Sequence, residues 1–152
     1  MAVLKRKVAA YITWDDRVLV FRQPHAPEAG VQVPAGTLED GEEPGEAVLR
    51  EAWEETGLEG LERVAYLGRQ VERFVTKGGD EMAVERHFFH LRFEGEAPER
   101  WRHWEMTPSG GVEGPILFEL WWAPVGEVRG MLNGWFAAML EKVVCDSRGS
   151  RR

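Results

Sequence analysis

Apolar and polar positions alternate or run together along most of this chain in lengths that suit strands. Lys5 to Trp14 and Arg17 to Phe21 are β-rich runs parted by Asp15-Asp16, which predicts a hairpin. Gln23 to Gly30 carries two prolines and a glycine and reads as a loop, with a short strand from Val31 to Pro34 after it. Leu61 to Phe74 and Ala83 to Phe93 are strand patterns around a turn at Lys77-Gly78-Gly79-Asp80, and Pro115 to Trp122 is another. Glu94 to Gly114 is a long polar segment, and Val128 to Val144 has the spacing of a closing helix. Strand-rich patterning with one helix in the middle and one at the end predicts an α/β protein, a mixed sheet between helices.

The central helix begins at Pro44, which suits a first turn, and stops at Gly57, which suits a left-handed cap. Val48 and Ala52, then Leu49 and Trp53, form its apolar stripe, with Glu51, Glu54 and Glu55 toward another face. Glutamates three and four apart share a helix face and repel by a few tenths of a kcal/mol per pair. Such clustering becomes favourable when the carboxylates share a hard divalent cation, which takes oxygen ligands. The cluster is therefore a candidate metal site, and a metal there makes phosphate chemistry the leading reaction class.

From Gly36 to Leu58 the chain reads GTLEDGEEPGEAVLREAWEETGL. Gly36, Glu42, Arg50, Glu51, Glu54, Glu55 and Gly57, with Ala52 and Leu58 in the hydrophobic slots, match the pattern Gly-x5-Glu-x7-Arg-Glu-hydrophobic-x-Glu-Glu-x-Gly-hydrophobic. In this it resembles the Nudix (MutT-like) hydrolases at every defined position. The resemblance implies an α/β/α sandwich with a mixed, mostly antiparallel sheet. It also implies water attack at phosphorus, cleaving a diphosphate bond in a small nucleoside diphosphate derivative, with Mg²⁺ or Mn²⁺ as cofactor. By position in the pattern, Glu51, Glu54 and Glu55 are the expected metal ligands and Glu54 the expected base. Arg50 is expected to orient a glutamate, Glu42 to support the site from the loop, and Gly36 to turn the backbone tightly and bring its carbonyl toward the metal. Relatives often add an acid from beyond the helix, for which Glu113 is the candidate, ahead of Glu81 and Glu85.

Composition narrows the rest. With 152 residues, 43% of them hydrophobic and 30% charged, a single domain over 1–145 with a frayed tail over 146–152 is expected. A net charge of −7 disfavours nucleic acid as partner but not a small nucleotide carried with its metal. No apolar run approaches membrane-spanning length. The lone cysteine, Cys145, excludes an intrachain disulfide and agrees with a reducing, cytoplasmic location. Homodimers are common among proteins of this kind. For substrate binding, Trp101 and Trp104 in the polar segment are candidates to stack on a base as part of a lid, and Arg22 to reach a phosphate. The alternative to an enzyme is a module that binds nucleotide without cleaving it, whose mark would be an eroded glutamate set.

Overall fold

The computed structural model describes residues 3–108, 114–132 and 134–145, and the 146–152 tail lies outside them. Its strands are β1 (Val3–Trp14), β2 (Arg17–Arg22), β3 (Ala35–Thr37), β4 (Glu62–Val75), β5 (Glu81–Arg92), β6 (Arg100–Glu105) and β7 (Ile116–Pro124). They form one mixed sheet in the order β4-β5-β1-β2-β7-β6, with β3 paired to β1 off that path. Only β1 and β5 run parallel; the other pairs are antiparallel. The sheet class is therefore as the sequence predicts.

β1 lies in the middle and is buried on both faces, which is why its apolar run hardly alternates. Val8, Ala10 and Ile12 join the core beneath helix α1 (Pro44–Thr56), whereas Ala9 and Tyr11 join a second core on the opposite face. The hairpin turns at Asp15, whose φ of 56° is accepted more readily by Asp than by most residues. β1 and β2 then pair only at Thr13–Val18 and Trp14–Arg17 before they separate. Residues 31–37 fill the gap. Gln32 bridges Phe21 on one side, and β3 pairs Lys7 to Ala9 on the other. The expected Val31–Pro34 strand is thus two isolated bridges, with regular pairing starting at Ala35.

Two further elements differ from expectation. The polar segment after Glu94 contains β6, an edge strand paired along its length with β7. The expected helix over Val128 to Val144 is replaced by a short helix α2 (Val125–Val128) and two 3₁₀ turns, Gly134–Ala137 and Leu140–Lys142. Gly134 at φ 56° breaks the helical path. The buried Tyr11 hydroxyl donates to the Phe136 carbonyl at 2.7 Å and accepts from Met139 N–H at 3.2 Å, taking backbone groups that a continuous helix would pair internally.

Under the sheet, His90 is buried and shares a 2.8 Å hydrogen bond with Thr13 Oγ1. Burial, with Arg92 adding to it, pushes the imidazole down to about 4 from the usual 6.5. Between those values the unfolded chain binds a proton that the folded chain refuses, so stability falls as the pH drops through that window, by up to about 3 kcal/mol. Urea denaturation between pH 7 and pH 4.5 should therefore show a steeper loss in the wild type than in His90→Gln. Parallel curves would show that His90 is not the group responsible.

Candidate metal and catalytic site

α1 is built by local signals. Pro44 opens it, Glu43 N–H donates to Glu46 Oε1 at 3.1 Å in a capping box, and Gly57 closes it at φ 76° with its N–H on Trp53 O at 2.8 Å. Its inward face departs from the expected stripe. Trp53 is 54% exposed, whereas Glu51 and Glu55, at 1% and 7%, are buried alongside Ala47, Val48 and Ala52. Two of the glutamates thus sit on the packed side of the helix, over the gap where β1 and β2 part.

Gly36 shows why that gap holds them. A Cβ at position 36 would collide with the Glu51 carboxyl group. Gly36 lies in β3 and is not among the glycines at positive φ, so a tight loop is not what it provides. Its missing side chain is the space that Glu51 fills. Beside it, Ala35 N–H donates to Glu55 Oε1 at 2.8 Å.

Facing Glu51 and Glu55 is Glu105, the last residue of β6 and 3% exposed. The three carboxylates offer oxygens that all lie within 4.8 Å of one another. Burial, then Glu105 and, further down, Glu51 and Glu54, raise the Glu55 carboxyl well above the usual carboxylate range despite the Ala35 bond. Burial, then Glu51 and Glu54, push Glu105 up to about 7, with Arg50 opposing. Glu105 Oε2 is buried without a hydrogen-bond partner among the described residues. Crowded acids that resist ionising, one with an oxygen still unsatisfied, fit a hard divalent cation.

Arg50 gathers the remaining acids. It holds Glu42 with both oxygens at 2.8 Å, Glu51 at 3.0 Å, Glu54 at 3.2 Å and the Thr37 carbonyl at 3.1 Å. Its hydrogen bonds keep the Glu42 carboxyl below the usual range. Arg50 thus bonds three glutamates at once, and Glu42 meets the site through the arginine. Glu54 stays outside the three-carboxylate cluster, at the rim, with its carboxylate turned to Arg50.

The remaining candidates lie elsewhere. Glu113 is outside the described residues. Glu85 is tied to Arg6, Arg69 and His87 on β5. Arg22 is paired with Glu119 at 2.8 Å over the Trp121 ring, between two residues, Phe21 and Gln23, that line the cleft beside the site. Trp101 packs against Trp122 in the core and donates its indole N–H to Thr56 O at 3.0 Å. Trp104, on the other face of β6, is 47% exposed beside His25. The segment that carries both is a strand and not a lid.

Sequence reasoning missed Glu105. The signal was there, because Trp101, His103 and Glu105 alternate with Arg100, Arg102 and Trp104 in a period of two. It also missed the cleft of about 250 Å³ that opens from Glu55 and Glu105. Lys7, Phe21, Gln23, Gln32, Trp135 and Phe136 line it, and Gln23 Nε2 donates to Gln32 Oε1 at 2.9 Å. No local pattern announces such a lining, since seven separate segments contribute to it.

With this geometry the comparisons agree. A NUDIX domain model matches residues 3–142. Among solved structures, the chain is similar to a MutT protein from Bacillus halodurans at 25% identity and TM-score 0.57, covering 84% of this chain and 72% of that one. A NUDIX hydrolase from Nitrosomonas europaea matches at 22% and TM-score 0.60, covering 92% and 87%. The dihydroneopterin triphosphate pyrophosphohydrolase of E. coli matches at 16% and TM-score 0.56, covering 93% and 94%; at these last two identities the likeness is one of fold. The matched domain takes in every element that builds the glutamate cluster, and the chain belongs to the Nudix family of hydrolases.

Proposed function

We propose that this protein hydrolyses a diphosphate bond in a small nucleoside diphosphate derivative, with Mg²⁺ or Mn²⁺ held by Glu51, Glu55 and Glu105. The observation that carries the reading is the convergence of those three carboxylates from α1 and β6, buried at the head of a cleft. When bound, the metal would neutralise charge on the phosphates as the bond breaks. Glu54 takes the role of base, because it is the pattern's one helix glutamate outside the cluster and is open enough to meet an attacking water. Arg50 keeps Glu54 and Glu51 in place, and Gly36 leaves Glu51 its room. No helix among the described residues is long and apolar enough to cross a membrane.

The cleft suits a nucleotide. Phe136 and Trp135 stack at 4.0 Å, and the Arg86 guanidinium lies over the Trp135 ring at 4.2 Å. The Gln23–Gln32 pair leaves an amide oxygen and an amide N–H to meet the edge of a base. Lys7 has no carboxylate partner among the described residues and can face a phosphate. A panel of ADP-ribose, dinucleoside polyphosphates, NDP-sugars, dihydroneopterin triphosphate and canonical or oxidised NTPs tests this, each with Mg²⁺ or Mn²⁺ and products separated by chromatography. One substrate should be cleaved far faster than the rest, and chelation of the metal should stop it. On that substrate Phe136→Ala should raise KM roughly 5- to 100-fold with little change in kcat, the loss of one base–aromatic stack. Binding without turnover across the panel would replace hydrolysis with a sensor function.

A further inference from the structure

β6 is an edge strand, and its inward residues do more than fill space. His103 Nε2 lies 2.8 Å from the carbonyl of Glu54, and Trp101 Nε1 donates to the carbonyl of Thr56 at 3.0 Å. Both carbonyls belong to the last turn of α1, where the helix has no N–H of its own to satisfy them. Gly57 lies so close that a Cβ there would meet the His103 ring at 3.1 Å. Glu105 is next on the same face, two residues beyond His103.

Glu105 needs such an anchor. Its carboxylate is pressed against Glu51 and Glu55, and like charges in a buried space drive apart. Among the described residues, the strand that carries it has a neighbour on one side only, β7. A slip of β6 by one residue would turn Trp101, His103 and Glu105 to the opposite face together. Two ring N–H bonds to the helix end oppose both movements. The bond to Glu54 O also fixes the backbone between Glu54 and Glu55.

We infer that His103, with Trp101, is a positioning residue for the metal centre: the two rings clasp the end of α1 and so set the distance of Glu105 from Glu51 and Glu55. The inference rests on those three glutamates holding the metal. The clasp touches neither metal nor substrate and acts through the strand and helix that it joins. Losing it should loosen metal binding by roughly 10- to 100-fold, the usual scale for groups that hold ligands in place.

The test is Mn²⁺ titration of substrate-free protein, followed by the EPR signal of free Mn²⁺, in wild type, His103→Leu, His103→Gln and Trp101→Phe. Glutamine can offer an amide N–H where the imidazole offered its own, whereas leucine cannot. His103→Leu should bind Mn²⁺ at least about 10-fold more weakly. His103→Gln should recover most of that affinity, and KM at saturating metal should stay near the wild-type value in both. Trp101→Phe keeps an aromatic ring against Trp122 but removes the N–H, so it should weaken binding even if the leucine variant does not fold. A Tm that falls in His103→Leu and Trp101→Phe while their Mn²⁺ affinity holds would make the clasp merely structural and overturn the inference. Wild-type protein that binds no Mn²⁺, or binds it undiminished in Glu105→Gln, would overturn the metal assignment itself.

Discussion

Glu55→Gln should lower kcat by at least about 10³-fold, some 4 kcal/mol in the barrier, and leave the metal-free protein as stable as before or more so. The two halves of that expectation share one cause. Glu55 is buried against two other carboxylates, and its carboxyl is raised well above its usual range because the folded state penalises its charge. An amide of the same shape removes the charge and can still accept the Ala35 N–H through its oxygen. What the fold loses by burying the charge, a metal held there would regain by needing it. Glu54→Gln should behave differently, with kcat reduced but Mn²⁺ affinity kept within a few-fold, since Glu54 stands outside the cluster. Activity assays beside Mn²⁺ titrations and thermal melts would separate the two residues. Equal loss of metal affinity in both variants would make Glu54 a ligand.

The second large effect belongs to Arg50. Arg50→Met removes a cation that pairs with Glu42, Glu51 and Glu54 together, and with Glu39 at 3.9 Å. Glu51 is the buried member of this set, and stripping the partner from a buried carboxylate costs about 3–5 kcal/mol, because its charge stays where water cannot reach it. Arg50→Lys should recover little of this. A single ammonium cannot hold both Glu42 oxygens and also reach Thr37 O, as the planar guanidinium does. The pH dependence has a definite sign. Arg50 holds the Glu42 carboxyl below its ordinary value of 4.5, so that part of the stability is fully present above that value. It is lost only as the pH falls through the lower, folded value. Denaturant titrations should therefore show a wild-type advantage over Arg50→Met that is constant near neutrality and narrows in acid. A lysine variant with wild-type stability and turnover would remove Arg50 from this role.

What the sequence made legible was whatever local chemistry decides. Pro44 and Gly57 bound a helix by what their backbones permit, and the helix forms between them. The hairpin at Asp15-Asp16 and the long β4–β5 pairing follow from alternation and turn residues in the same way. The Glu51, Glu54, Glu55 and Arg50 set was readable because one short stretch of helix carries it. Burial was harder to read. The pattern set the glutamates on a face apart from the apolar stripe, yet Glu51 and Glu55 lie on the packed side, because the parting of β1 and β2 and the bare Gly36 make room for them. Glu105 escaped for a related reason. The alternation of β6 is carried by polar residues, and only its pairing with β7 makes it a strand. The closing helix was misread because its apolar spacing is real, but a tyrosine more than a hundred residues earlier claims its backbone.

The site also has an order of arrival. Emerging from the ribosome, the chain would release the whole signature by Leu58, and a helix displaying Glu51 and Glu55 can form then. Glu105 follows much later, on a strand whose only sheet neighbour among the described residues, β7, is made later still. On the proposed ligand set, the strongest grip on a cation would therefore await the last strands of the sheet. By mass action, a cation that prefers the finished trio of carboxylates favours chains whose edge has closed. On the proposed function, the ion that serves turnover would thus also be a ligand of maturation, gathering the outermost strand onto the helix that was made first.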